Sequence, residues 1–221
     1  MATELVPGVG HYAYFLNGER TAVEESWRVD PVTAGEQSVR SQRKAPGVLL
    51  DVNATVVQGF VLRCEVCWSA DDEVPLLARY ARMDSQLRMS RWEEAGGKIT
   101  RALDAREGQV PILYPWMRIF TGPVIQSLAA EGGQADVVVP WIANPAQREC
   151  LLLPDISRRQ VSRDSSEDLQ LPSGGQQRCE LWRFVGGQYT EDASFWLNAQ
   201  GQLQRYSWNQ APNQQWDVWL V

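Results

Sequence analysis

The sequence predicts a mainly β protein, a single curved antiparallel sheet that forms a half-barrel or barrel-like roll, with one or two short helices. Three observations support this fold class. Apolar and polar residues alternate along most segments, which is the period of a half-buried strand. Asn-Gly, Ala-Pro-Gly and Gly-Gly turn signals separate these segments at short intervals. Ten tryptophans in 221 residues supply bulky rings that a large curved sheet can bury.

The first five predicted strands follow one another through tight turns. Residues 11–16 form an aromatic strand, Asn17-Gly18 is a strong hairpin signal, and residues 20–29 supply the pairing strand. Alternation and the Ala-Pro-Gly turn then predict three further strands, over 38–43, 48–57 and 60–68.

Residues 75–94 admit two interpretations. Large apolar side chains recur there at the spacing of one helix face, and Pro75 suits the first turn of a helix. Residues 86–92 also alternate, and the glycines at 96 and 97 would then form a turn into a strand over 98–103. We favour strands from residue 86 onward and keep an amphipathic helix over 75–94 as the alternative.

Prolines are frequent in the middle of the chain, and we expect residues 110–156 to form a helix-containing insertion. The helix is predicted over 123–131, because proline suits its first position and Gly-Gly follows its end. Residues 135–139 and 149–153 are apolar runs of strand length that would fill a core. Residues 157–173 are polar and are interpreted as an exposed connection.

The last fifty residues return to the alternation of strands. Four strands are predicted there, over 178–185, 189–198, 203–209 and 215–221. No low-complexity linker divides the chain, so we expect one β-rich domain over 1–221.

The overall composition argues against several classes of partner. With 21 basic and 27 acidic residues the net charge is −6, the wrong sign for a protein that neutralises phosphates, so no nucleic-acid partner is expected. No apolar stretch approaches the roughly 18 residues of a transmembrane helix. The start of the sequence lacks the features of a signal peptide, which predicts a cytoplasmic protein, or a periplasmic one if a leader has been removed.

The side chains that usually bind metals or perform catalysis are scarce. His11 is the only histidine, so a multi-histidine zinc site cannot be built. Cys64 and Cys67 lie three apart in a predicted strand and would point to opposite faces. The chain also lacks a phosphate-binding glycine loop. We therefore expect no metal and no cofactor, and we identify no catalytic residue.

Two aromatic segments, each with an arginine, are the best candidates for a ligand site. Residues 114–120 are too apolar for an ordinary loop, and the predicted hairpin over 195–208 also places rings beside a guanidinium. Such surfaces suit a hydrophobic or amphiphilic small molecule, with Arg118 or Arg205 binding an anionic head group. The candidate ligand-binding residues are Trp68, Tyr114, Trp116, Arg118, Trp196, Arg205, Tyr206 and Trp208.

The order of these features resembles the bacterial spiralling β-half-barrels. The chain opens with an aromatic strand, the Asn17-Gly18 turn and a Glu-x-Trp strand, continues through successive hairpins, and closes with a tryptophan-rich strand pair. That group includes the LolA-like lipoprotein carriers and the glycolipid-binding families. The resemblance extends over most of the chain but lies in its pattern, without a family motif. It implies a lipid, glycolipid or other amphiphilic ligand in a concave sheet. The carriers are periplasmic and begin with a leader, and the proline-rich middle has no counterpart in them.

Two other functions remain open from the sequence. A hydrolase acting on a sugar or an ester could use paired carboxylates, such as Glu24 with Glu25 or Glu93 with Glu94. Alternatively, the aromatic surfaces could join subunits of a homo-oligomeric structural module.

Overall fold

A computed structural model describes residues 4–71, 73–92, 97–105, 108–189 and 193–221. Strands make up 63% of the protein. The first eight strands are β1 (Gly8–Leu16), β2 (Glu19–Val29), β3 (Gln37–Ala45), β4 (Val48–Val57), β5 (Phe60–Ala70), β6 (Leu76–Arg82), β7 (Gln86–Trp92) and β8 (Lys98–Asp104). The next seven are β9 (Ile112–Leu113), β10 (Gln134–Pro140), β11 (Pro154–Gln170), β12 (Gln176–Val185), β13 (Ser194–Leu197), β14 (Leu203–Ala211) and β15 (Gln214–Leu220).

All fifteen of these strands belong to one curved sheet that does not close. Across the sheet, the strands follow one another from β8 down to β1 and then from β15 down to β9. The first strand, β1, therefore pairs with the last strand, β15, near the middle of the sheet. Every pair is antiparallel except β9 with β10. The curved antiparallel sheet predicted from the sequence is therefore confirmed.

One edge of the sheet folds back over its own interior. A 3₁₀ turn, Arg118–Phe120, leads into the helix α1, Thr121–Ala130. Both α1 and the edge strand β9 contact β5, which lies on the other side of the β1–β15 junction in the sheet order. Seven of the ten α1 residues are buried, so the helix fills the interior of the roll. No helix of the described residues is long and apolar enough to cross a membrane.

Alternating strand faces build the core, as the sequence period requires. Along β5, Cys64 and Val66 are buried, whereas Cys67 is half-buried on the other face. Val52 and Ala54 of β4 pair with these positions and are also buried. The two cysteines therefore point to opposite faces of the sheet.

The helix considered for residues 75–94 is wrong, because the segment forms β6 and β7. Leu76, Ala78 and Tyr80 are buried with a period of two, and their backbone pairs with β5. Apolar residues at mixed spacing had fitted both periods, and pairing with β5 decides between them. Residues 93–96, with Glu93, Glu94 and part of the predicted turn, lie outside the described residues.

The interpretation of residues 157–173 as an exposed connection is also wrong. Most of the segment belongs to β11, which pairs with β10 along its first part and with β12 along most of its length. Many β11 side chains are exposed, but Arg159, Val161 and Leu169 are buried. The backbone is thus fully part of the sheet, although its side chains do not show the usual apolar alternation.

The apolar run at 149–153 is not a strand as expected. It forms turns, with Leu151 and Leu152 fully buried. Side chains bind its carbonyl oxygens: Arg91 Nη1 donates to Leu151 at 2.7 Å, and the Tyr80 hydroxyl donates to Leu152 at 2.7 Å. These hydrogen bonds replace the partners that a neighbouring strand would supply.

The strand predicted over 189–198 is shorter in the structure, where β13 begins at Ser194. Tyr189 instead forms an isolated bridge with Gly186, and residues 190–192 lie outside the described residues. The helix predicted over 123–131 is present, but it begins two positions earlier.

Candidate functional site

The aromatic segment 114–120 lies inside the roll and contains a strained turn. Met117 N donates to Pro115 O at 2.9 Å, and Trp116 between them has a φ of +63°. A three-residue turn with a positive φ at its centre is a rare and strained γ-turn, especially at a bulky residue. Arg43 Nη2 donates to Trp116 O at 2.6 Å and so holds this turn against β3.

Glu25 fixes the start of the 3₁₀ turn from the opposite side. Its carboxylate is completely buried on β2 and accepts the Arg118 backbone N–H at 2.5 Å. The other oxygen accepts the Tyr14 hydroxyl at 2.8 Å and Arg43 Nη2 at 2.7 Å. This carboxylate is therefore saturated with donors, and Arg43 neutralises its charge.

The Arg118 side chain is buried without a carboxylate partner among the described residues. It is 4% exposed, and its Nη1 donates to the hydroxyls of Tyr189 at 2.7 Å and Tyr114 at 3.2 Å. Its guanidinium carbon lies 4.6 Å from the centre of the Tyr206 ring, a cation–π contact. Phenols and a ring face thus surround this cation where an ion pair would be expected.

Arg159 of β11 is a second buried guanidinium in the same region. It is 1% exposed, and its Nε donates to Ser157 Oγ at 3.2 Å. Its guanidinium carbon lies 5.8 Å from the Tyr114 ring centre and 5.4 Å from that of Phe184. Tyr114 therefore contacts both Arg118 and Arg159. Neither arginine has a carboxylate at ion-pair distance among the described residues.

Tyr189 lies at the centre of the aromatic part of the site. Its ring centre is 5.4 Å from those of Phe195 and Trp208, 5.5 Å from Phe184 and 5.8 Å from Tyr206. Burial alone would raise the pKa of its phenol, but the positive charge and hydrogen bond of Arg118 outweigh burial and lower this pKa. For Tyr114, burial outweighs Arg118, and its pKa is raised.

The cluster as a whole has an excess of positive charge and of hydrogen-bond donors. Glu25 pairs with Arg43, whereas Arg118 and Arg159 have no such ion pair among the described residues, and Arg159 feels Asp155 only through a longer-range interaction. Several buried N–H atoms also lack a hydrogen-bond partner within the described parts of the chain. They are Arg118 Nε, Arg159 Nη1 and Trp116 Nε1. All are donors, so the site lacks acceptors and negative charge.

The structure brings five of the eight sequence-predicted site residues together. Arg118 contacts Tyr114 and Tyr206, while Trp116 lies 6.2 Å from Tyr114 between ring centres, and Trp208 packs on Tyr189. We call the group formed by these residues with Arg159, Glu25, Arg43, Tyr14, Tyr189 and Phe184 the cationic cluster.

The other three predicted residues lie elsewhere. Trp68 is buried in the core of β5, with Arg148 over its ring at 5.7 Å. Trp196 and Arg205 occupy the opposite face of the sheet, since neighbouring strand residues alternate between faces. There the Arg205 guanidinium lies 4.7 Å from the ring centres of Trp196 and Trp219, and it pairs with Asp217 at 2.6 Å.

The carboxylate pair Glu24 and Glu25 is divided between the two faces of β2. Glu24 is exposed and pairs with Arg20 at 3.0 Å, whereas Glu25 is committed to Arg43. Across the described ranges, no group of three or more metal-ligating side chains is positioned to hold a metal ion. In the cationic cluster, the unpartnered N–H groups and the buried guanidinium groups are chemically complementary to an anion.

The comparison with solved structures extends over nearly the whole chain. The structure is similar to a β-barrel-like protein of the domain of unknown function DUF1849 from Brucella abortus, with a TM-score of 0.59 and 9% sequence identity. The alignment covers 99% of this chain and 97% of that one. No protein-family model and no curated protein matches the chain. The comparison shows a barrel-like fold, and it does not extend to the lipoprotein carriers or the glycolipid-binding families.

Proposed function

We propose that this protein binds an anionic amphiphile whose head group occupies the cationic cluster. The observation that supports this proposal is the buried guanidinium of Arg118, which has no carboxylate partner and an unpartnered Nε among the described residues. Transferring an unpaired charge from water into a protein interior is costly. A bound anion would supply the missing charge and the missing acceptors together.

The geometry of the donors favours a carboxylate or a phosphate as the head group. Arginine presents N–H groups in a planar fork that matches the oxygens of both anions. Arg118 Nε and Arg159 Nη1 supply the unused donors, and Trp116 Nε1 adds a neutral one.

The neighbouring aromatic rings favour an apolar tail on the same ligand. Tyr189, Phe195, Tyr206 and Trp208 form edge-to-face and stacked pairs beside Arg118. Barrel-like sheets commonly bind ligands among such rings, with a few polar groups setting the orientation. Fatty acids and alkyl phosphates have the required combination of one anionic end and one apolar end.

Binding can be measured by intrinsic tryptophan fluorescence with three probes that share a twelve-carbon chain: laurate, dodecyl phosphate and dodecanol. We expect both anions to bind and dodecanol to bind at least about tenfold more weakly, since charge-assisted hydrogen bonds contribute about 1.5–3 kcal/mol. The ratio of the two anion affinities distinguishes a carboxylate from a phosphate ligand. Equal affinity for dodecanol and laurate would refute the proposal.

Two arginine variants locate the head group. Arg118→Gln should weaken laurate binding about tenfold or more, whereas Arg205→Gln should leave it unchanged, because Arg205 lies on the other face and is neutralised by Asp217. Arg159→Gln provides a second test if Arg118→Gln does not fold. Unchanged laurate binding in both cluster variants would place the head group elsewhere.

A further inference from the structure

An open groove lies at the end of the roll where β1 begins. Its volume is about 630 Å³, and its lining includes Val6, Val9, Trp27, Gln204, Leu220 and Val221. None of its lining residues has an ionisable side chain. Ser173, Gln202 and Gln204 add neutral polar groups to a mainly apolar lining, so the groove favours an uncharged occupant with an apolar part.

Exposed apolar side chains concentrate at the rim of this groove. Val6 is 41% exposed, Val9 73% and Val221 57%, and these are half of the strongly exposed large apolar side chains found in the described residues. Clustered apolar exposure of this kind commonly marks a binding surface, whereas isolated exposed residues are ordinary.

The groove also has one buried donor without a hydrogen-bond partner in the described structure. Trp27 is 7% exposed, and its Nε1 is unpartnered. The edge of its indole lies against Gly10, where a Cβ atom would be 2.4 Å from ring atom Cζ2 and 3.1 Å from Nε1. Gly10 and Trp27 both line the groove, and the absence of a side chain at Gly10 leaves room for the buried indole edge that carries Nε1.

The groove lies next to the buried interior of the roll. Trp27 and Gly10 are neighbours across β1 and β2, and the next inward-facing residues on these strands are Glu25 and Tyr12, both buried. On β14, the groove residue Gln204 lies at a β-bulge two positions before Tyr206 of the cationic cluster. Alternate strand residues are about 7 Å apart, so one layer of side chains separates the groove from the cluster.

We infer that this groove binds an uncharged acyl chain whose ester or amide carbonyl accepts a hydrogen bond from Trp27 Nε1. A carbonyl next to an apolar chain supplies the one acceptor that the site lacks, and the chain covers the exposed valines. The inference is independent of the proposed anion site, because no residue of the cationic cluster lines the groove.

The test uses 1-monolauroylglycerol, which is neutral and has one ester. Its binding should be measured by calorimetry, together with the indole N–H resonances of the protein. We expect binding, and we expect the resonance that is absent in Trp27→Phe to shift when the ligand is added. Trp27→Phe should lower the affinity about two- to tenfold, the effect of one hydrogen bond.

A pair of exposed valines provides a matched control that does not disturb the core. Val9→Asp should weaken binding of the monoacylglycerol about tenfold or more, since it adds a charge to the apolar rim. Val74 is 56% exposed and does not line the groove, so Val74→Asp should leave binding unchanged. Equal effects of the two substitutions would overturn the inference.

Arg118→Gln distinguishes failure of this inference from failure of the proposed anion site. It should leave binding of the monoacylglycerol unchanged while weakening that of laurate. If it weakens both ligands equally, the acyl chain lies in the cationic cluster and the groove assignment is wrong. If laurate binding is unaffected but Val9→Asp still weakens the neutral ligand, the groove assignment stands and the anion site is wrong.

Discussion

Arg118 Nη1 donates a hydrogen bond of 2.7 Å to the hydroxyl of Tyr189, which is shorter than its hydrogen bond of 3.2 Å to the hydroxyl of Tyr114. The charge of Arg118 lowers the pKa of Tyr189 even though burial opposes that effect. Burial raises the pKa of the remaining five, which are Tyr12, Tyr14, Tyr80, Tyr114 and Tyr206.

We predict that Tyr189 ionises first when the folded protein is titrated with alkali. Absorbance at 295 nm should show one early tyrosinate, followed by the others only as the protein unfolds. Tyr189→Phe should remove the early step, whereas Tyr206→Phe should retain it. An early step that survives in Tyr189→Phe would show that another phenol has the lowered pKa.

Bound laurate should move the early ionisation step of Tyr189 to higher pH, because an anion at Arg118 would offset the charge that lowers the pKa of Tyr189.

The two kinds of tyrosine have opposite effects on stability. The folded pKa of Tyr189 lies below the unfolded value of 10.0, so its contribution to the free energy of unfolding grows as pH rises from the folded pKa towards that value. For the five others the folded pKa lies above the unfolded one. Their contribution is present below the unfolded pKa and is lost as pH rises past it. We therefore expect the free energy of unfolding to fall steeply in alkali above about pH 10.

Reactivity of the thiols tests the register of β5. Cys64 is buried on the inner face, and burial strongly raises the pKa of its thiol. Burial also raises the pKa of Cys179, to about 11. Cys67 and Cys150 are half-buried. With a thiol-specific disulfide reagent at neutral pH, we expect Cys67 and Cys150 to react before unfolding and Cys64 and Cys179 only after it.

Mass spectrometry of the labelled peptides identifies which thiols have reacted. Cys67→Ser should remove one early-reacting group and leave the slow pair unchanged. Fast labelling of Cys64 in the folded protein would contradict the register, because a shift of one residue exchanges the two faces of the strand.

The sequence predicts the strands best where side-chain alternation and turn residues agree. Asn17-Gly18 and the alternating residues around it locate β1 and β2 correctly. The prediction fails for β11, because many of its side chains are exposed and its identity as a strand depends on backbone pairing with β10 and β12. Pairing between distant backbones leaves no periodic pattern in side-chain polarity.

A substitution in α1 tests how the segment that bears Arg118 is held in place. A Cβ at Gly122 would lie 1.8 Å from the Gly201 carbonyl oxygen, so the backbone of one of the two residues must move. Alanine is favoured over glycine in helices by up to about 1 kcal/mol, but overpacking of a rigid contact costs about 1–3 kcal/mol. We expect Gly122→Ala to lower the free energy of unfolding by about 1–2 kcal/mol in urea denaturation.

Gly175 is the matched control for this substitution. A Cβ there meets nothing within 4 Å, so Gly175→Ala should change stability by less than about 0.5 kcal/mol. If Gly122→Ala is as stable as Gly175→Ala, then α1 is not fixed against the turn that contains Gly201.

The candidate site is predicted from the sequence only in part. Residues 114–120 stand out because an apolar, aromatic segment contains a single arginine, and the structure does bury Arg118 there. Arg159 and Tyr189 were missed, because the fold brings them to Arg118 from distant segments of the chain. Glu25 could have been found, since alternation along β2 places it on the same buried face as Trp27.

The buried carboxylate of Glu25 should be more important for stability than any exposed charge on β2. Glu25→Gln keeps the size of the side chain but leaves Arg43 without its ionic partner and adds to the excess of positive charge around Arg118. Breaking a buried ion pair by removing one partner costs about 3–5 kcal/mol. Glu24→Gln is the control, because its pair with Arg20 is exposed and should contribute less than about 1 kcal/mol. Urea denaturation of the two variants beside the parent protein measures the difference. Because a buried anion would restore some of the lost charge balance, saturating laurate should recover more stability in Glu25→Gln than in the parent protein. Equal destabilisation by the two substitutions would mean that Glu25 does not hold the Arg118 segment.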